Sequence, residues 1–245
     1  MLQIKDLKIE NESKQVLIEN ANFEMLPNKI IKIRGENGSG KTTLLSSIFK
    51  NPNYKIASGD IILNEKSKDA REDIRDVAGI EKMTETNLTN LETQEIVRLG
   101  LYLGLQFIPE ISGVSTIKFL YKSYQNVHGD KNEFKSIIDF KNNIVLECAK
   151  YELDKSFLER DLNYKYSGGE KKIATIIYIL ALKPKYIFLD EIDSGVDEIN
   201  KVKIYKIINS LKDSGASILL TSHNSEIDKY INFDRVYKIE DKILK

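Results

Sequence analysis

Gly35-Glu36-Asn37-Gly38-Ser39-Gly40-Lys41-Thr42-Thr43 fits the spacing G-x-x-x-x-G-K-[S/T], and the residue types in it suit the binding of a polyphosphate. Glycines 35, 38 and 40 let the backbone turn its N–H groups toward phosphate oxygens. Lys41 is long enough to reach β and γ phosphates, and the Thr42 hydroxyl is a ligand for Mg²⁺. A second chemical element is Tyr186-Ile187-Phe188-Leu189-Asp190-Glu191, four apolar residues followed by two carboxylates. In an open parallel sheet such a strand ends at the ligand edge. Asp190 would hold Mg²⁺ opposite Thr42, and Glu191, one residue further, suits polarising an attacking water. The third is Ser167-Gly168-Gly169-Glu170. Ser-x-x-Glu makes a capping box at a helix start. The two glycines are not needed by the cap and would weaken a helix by roughly 1 kcal/mol each relative to Ala. Close approach of a ligand explains them better, which makes this helix start a second anion site.

The flanking residues supply elements that could position these groups. Ile30 to Ile33 reads as a buried strand before the glycine loop, and Leu44, Leu45, Ile48 and Phe49 recur at helical spacing after it. Upstream, Leu2, Ile4, Leu7 and Ile9, then Val16 to Ile18, then Phe23 to Leu26, suggest separate antiparallel strands ending in a Pro27-Asn28 turn. Gly59 to Leu63 resumes a strand, and Glu65 to Asn90 is polar enough to read as a surface excursion. From Val114 to Phe157 the period is helical. Afterwards the rhythm returns to α/β, with a helix to about Leu182, a strand at 186–189, a helix from Val196 to Leu211, a strand at 218–221 and a terminal hairpin. That order predicts one α/β domain, with a core of residues 1–105 and 166–245 and a helical lobe of 106–165 inserted into a parallel sheet.

Composition narrows the function classes. Lys plus Arg equals Asp plus Glu at 37 each among 245 residues, so no global field gathers nucleic acid or an anionic membrane. Lysine pairs such as Lys171-Lys172 read as solvated helix faces. Cys148 is the only cysteine and sits in an apolar helical pattern, which favours a packed side chain in a reducing compartment. Two histidines, His128 and His223, are too few for a His-rich metal site. No stretch of 18 apolar residues occurs, so no membrane insertion is expected and the cytoplasm is the expected location.

Taken together, the glycine loop, the Ser-Gly-Gly turn and the acidic strand end resemble those of ATP-binding cassette ATPases. The resemblance implies the P-loop cassette fold, with an N-terminal antiparallel β subdomain and an inserted helical lobe. It also implies ATP and Mg²⁺ as ligands, hydrolysis to ADP and phosphate, and a head-to-tail dimer that sandwiches two nucleotides. Ser167, Gly168, Gly169 and Glu170 of one subunit would then face the phosphate loop of the other, with Asp197 of Ser194-Gly195-Val196-Asp197 on the crossing loop. Gln106 matches the glutamine that senses Mg²⁺, and His223 the switch histidine that orients Glu191.

Three runs are similar, more narrowly, to SufC-type ATPases of iron–sulfur cluster assembly: Gln106 to Leu120, with Pro109-Glu-Ile-x-Gly-Val-Ser115 inside it, Tyr166-Ser-Gly-Gly-Glu-Lys-Lys172 and Leu189-Asp-Glu-Ile-Asp-Ser-Gly-Val-Asp197. That likeness implies soluble SufB- or SufD-like scaffolds as partners. The nucleotide-binding subunit of an ABC transporter and an ATP-gated binding module are the alternatives. No aromatic residue lies between Glu10 and Asn20, where many cassettes stack the adenine, so phosphate-led binding is expected.

Overall fold

The computed structural model describes residues 1–66, 83–106, 109–129 and 132–245. Strand β1 (Leu2–Asn11) pairs antiparallel with β2 (Val16–Met25). Where the sequence suggests two short strands across 16–26, a single bent one is found. Asp6 and Asn20 take positive φ, 48° and 52°, and Asn22 bridges them, accepting from the Asp6 N–H and donating to the Asn20 carbonyl. These bulges shift the register between Ile4 and Leu7, which keeps Leu2, Ile4, Leu7 and Ile9 all facing the core.

After β2 the chain enters β3 (Ile30–Arg34), the glycine loop and α1 (Lys41–Ile48). Strand β4 (Tyr54–Lys66) returns along β1, placing Tyr54 opposite Asn11 and Ile61 opposite Ile4. Part of the predicted surface excursion is ordered sheet. β5 (Met83–Asn87) pairs with β4, and in the turn after it Leu88 is fully buried. Residues 67–82 of that stretch lie outside the described residues. A short helix, α2 (Thr93–Arg98), carries its own capping box and leads into β6 (Leu101–Gly104).

The helical lobe follows as α3 (Thr116–His128), α4 (Ile137–Lys150) and a 3-10 turn at Lys155–Glu159. Tyr124, Phe134 and Phe140 pack at its centre with ring centroids 5.1–5.4 Å apart. Cys148 belongs to this core, and burial pushes its thiol up to about 11. It is an inert packed side chain, as its sequence neighbours suggest.

Helix α5 (Gly168–Leu182), β7 (Tyr186–Asp190), α6 (Glu198–Asp213), β8 (Ser217–Thr221), β9 (Arg235–Glu240) and β10 (Ile243–Leu244) complete the chain. The sheet runs β5-β4-β1-β2-β10-β9-β3-β8-β7-β6. Its β9-β3-β8-β7-β6 half is parallel, and its β5-β4-β1-β2 half is antiparallel. The two meet at β10, through one parallel pairing of Ile243 with Glu19. The central strands are covered on both sides, which is why they read as continuous apolar runs. Ile187 and Leu189 face the core under α3 to α6, whereas Tyr186 and Phe188 face the core under α1. Strands β3, β7 and β8 therefore end at one edge, and that edge carries the chemistry.

Candidate nucleotide site

Gly38 and Gly40 take φ of 78° and 109°, backbone that a side-chain-bearing residue rarely adopts. A Cβ on Gly35 would come within 2.9 Å of the Ile239 carbonyl on β9, so glycine is required there for packing. The loop closes with the Ser39 N–H donating to the Glu36 carbonyl at 3.1 Å. Lys41 is folded back, its Nζ donating to the carbonyls of Gly35 and Glu36, both at 2.8 Å. Burial lowers its pKa, and the nearby charges of Glu191 and Asp190 oppose that shift. The buried Ser39 hydroxyl has no partner among the described residues, an unused donor inside the loop. Asn37, Gly38, Gly40, Lys41, Thr42 and Thr43 line a cavity of about 400 Å³ that also reaches Gln106 and Glu191.

Asp190 ends β7, 2% exposed, with both oxygens in use. Thr221, at the end of β8, donates to Oδ1 at 2.7 Å, and Thr42 donates to Oδ2 at 2.7 Å. A hydroxyl and a carboxylate held this way are hard oxygen donors, and Mg²⁺ characteristically takes one or two such groups together with substrate phosphates. With the folded-back lysine and the unpartnered Ser39 hydroxyl, the residues present fit a Mg²⁺–polyphosphate.

Glu191 lies one residue beyond the strand, in left-handed backbone with φ 49°. That conformation costs of order 1–3 kcal/mol for a residue with a side chain. Its N–H donates to the carbonyl and hydroxyl oxygens of Thr221, at 3.2 and 3.1 Å, which holds the turn. The carboxylate is gripped from two sides. Gln106 Nε2 donates to Oε2 at 2.8 Å, and His223 Nε2 lies 2.7 Å from Oε1. Three residues singled out in the sequence therefore converge, with Gln106 placed on the carboxylate.

Ser167, Gly168, Gly169 and Glu170 form the expected capping box: the Ser167 hydroxyl accepts from the Glu170 N–H, and Glu170 accepts from the Ser167 N–H at 2.7 Å. Gly169 lies against the crossing loop, where a Cβ would sit 3.0 Å from the Gly195 carbonyl; Gly168 faces open space. Asp197 caps α6, and the Asn200 N–H donating to it holds its carboxyl below the usual range. These residues line a cavity of their own, sharing none of the phosphate loop's lining. Within one chain the two places expected to bind anions are therefore separate cavities.

Several supporting residues escape sequence reading. Lys172 is a correction: read as a solvated pair with Lys171, it is buried, donating to the Asp190 carbonyl at 3.1 Å. Burial lowers its pKa, against the charges of Asp190, Glu191 and Asp193. Asp193 is equally hidden. Its Oδ2 accepts from Tyr205 at 2.9 Å and from Ser222 at 2.8 Å, and the Ser222 hydroxyl in turn accepts from the Asn224 N–H. This network fixes the residues on either side of His223. Asp193→Ala leaves two buried hydroxyls without their acceptor and is expected to destabilise the fold by about 2–4 kcal/mol in denaturant titrations. A loss under about 1 kcal/mol would mean that the network does not hold this loop.

The model of the ABC transporter family matches residues 18–194. A probable ABC transporter ATP-binding protein of Streptococcus pyogenes serotype M3 is 31% identical over 98% of this chain and 86% of its own length. The probable ATP-dependent transporter ycf16 of Antithamnion sp. is 32% identical over 98% and 88%. Among solved structures, the ATP-binding cassette MJ0796, a dimer bound to ADP and Pi in a post-hydrolysis state, aligns with a TM-score of 0.75 at 18% identity, covering 100% of this chain and 97% of that one. Family model and relatives span the phosphate loop, the acidic strand end and the Ser-Gly-Gly turn alike, so this chain belongs to the ABC transporter family of Mg²⁺-dependent ATPase cassettes.

Proposed function

We propose that this chain is the ATP-hydrolysing subunit that powers iron–sulfur cluster assembly on a SufB- or SufD-type scaffold. The hydrolytic half of this reading rests on the grip of Gln106 and His223 on Glu191 beside the phosphate loop. Lys41 and the loop N–H groups bind the β and γ phosphates. Thr42 and Asp190 would hold Mg²⁺, which would neutralise charge on those phosphate oxygens. Glu191 accepts a hydrogen bond from the attacking water, aimed by its two partners, and His223, held on Glu191 Oε1, takes the part of the switch histidine. Ser167 to Glu170 and Asp197 act in trans, completing the site of a second copy in a head-to-tail dimer, which explains why one chain carries two separate anion sites.

The scaffold half rests on the three sequence runs around residues 109–115, 166–172 and 189–197. A cleft of about 760 Å³ lies between core and lobe, lined by Leu103, Leu105, Pro109, Phe119 and Tyr178 among others, and a scaffold helix would dock there. A membrane permease is the second reading, favoured by the names of the relatives as transporter proteins. No helix among the described residues is long and apolar enough to cross a membrane, so a permease would be a separate partner. Affinity capture of the tagged chain carrying Glu191→Gln, with MgATP present, from cytosol and solubilised membranes separates the two. Recovery of SufB- or SufD-like proteins is the expected result. Recovery of a polytopic membrane protein instead would make this chain a transporter motor.

A further inference from the structure

The turn between β1 and β2, residues 12–15, offers Glu12, Ser13, Lys14 and Gln15, none with a ring on which a nucleobase could stack. An aromatic nevertheless reaches the site from another strand. Tyr54, the first residue of β4, lies directly opposite Asn11, the last of β1, and so at the root of that turn. It is the one aromatic side chain lining the cavity that Gly38, Gly40, Thr42 and Thr43 share, among the described residues. Its neighbours leave it partly free. The ring is half-buried against the core under α1, is paired with no other aromatic ring, and its hydroxyl makes no hydrogen bond among the described residues.

We propose that Tyr54 supplies the stacking surface for the nucleobase. This rests on the nucleotide-binding reading above and extends it to the base end of the ligand. The geometry is directional. Thr42 faces Asp190, so the triphosphate end of the cavity lies toward β7. Thr43 is the next residue of α1 and lies on the cavity with Tyr54, where the chain of the nucleotide would continue away from the metal. Because every base has a π face, stacking here favours a nucleoside triphosphate over a bare polyphosphate without selecting one base. Such a role needs a ring that is open to the cavity, and Tyr54 is only partly buried and lines it.

The test is equilibrium binding of MgATP, MgGTP and inorganic tripolyphosphate with Mg²⁺, on the unmodified chain and on Tyr54→Phe, Tyr54→Leu and Tyr54→Ala. Tyr54→Leu keeps apolar contact with the core under α1 and guards against misfolding in Tyr54→Ala. The expected result is a three- to tenfold loss of ATP and GTP affinity in the Leu and Ala variants. Tyr54→Phe should match the unmodified chain, and tripolyphosphate affinity should be unchanged throughout. Equal weakening of all three ligands would make Tyr54 a packing residue and overturn the proposal, as would unchanged ATP affinity in both truncations. Failure of the nucleotide reading itself would look different, with no ATP bound by the unmodified chain.

Discussion

Glu191→Gln binds MgATP with close to unmodified affinity and turns it over at least about a hundredfold more slowly. The substitution preserves shape but removes a carboxylate oxygen, so the side chain can no longer accept from Gln106, His223 and a water together. A glutamine placed there presents an NH₂ to at least one of those donors. The groups that bind the phosphates are untouched: Lys41 stays folded onto the loop carbonyls and Thr42 stays on Asp190. The strained turn that carries residue 191 is held by Thr221 through the backbone and is retained as well. Phosphate release and nucleotide titration on the same preparation check the pair of expectations. Turnover within about tenfold of the unmodified chain would remove Glu191 from its role. Lost binding would mean that the carboxylate organises the phosphate loop.

Ser167→Arg leaves nucleotide binding by the monomer intact while abolishing ATP-dependent dimerisation, and with it hydrolysis. The reason lies in the separation of the two cavities, since nothing from 167–170 lines the phosphate loop of its own chain. Gly168 faces open space, so a guanidinium grafted beside it projects into the surface that would meet the partner copy. The Ser167 cap is lost too, which lowers stability by about 0.5–2 kcal/mol, not enough to unfold a domain with two extensive apolar cores. Light scattering with and without MgATP, together with titration of the monomer, reads both effects. Dimer formation by Ser167→Arg would sink the trans assignment, and collapse of monomer binding would make Ser167 a structural cap alone.

What could be read from the chain alone, and what could not, divides along a physical line. The glycine loop, the Asp190-Glu191 strand end and the capping box are each written in consecutive residues, because backbone geometry within a few residues sets their chemistry. The central strands announce themselves by apolar runs, since both of their faces are covered. Lys172, Asp193 and Tyr54 depend on what lies across the sheet. A lysine following another lysine looks solvated until the Asp190 carbonyl is found beneath it. The bend in β2 was equally hidden, for Asn20 and Asp6 are ordinary turn residues until Asn22 ties them across two strands.

Strand β3, which delivers the phosphate loop, is flanked by β8 and β9, both drawn from the last part of the chain. During synthesis on a ribosome the backbone N–H and C=O groups along its two edges therefore wait unpaired, beside the apolar side chains of Ile30, Ile31 and Ile33, until residues 217–240 have emerged. The antiparallel half, closed among residues 2–87, can form long before. The catalytic edge is thus the last part to be assembled, through contacts of high sequence separation that form slowly. Until then an unpaired β3 is the segment most exposed to mispairing with other chains. A substitution that weakens β8 or β9 should accordingly lower the yield of folded protein more than it lowers the stability of molecules already folded.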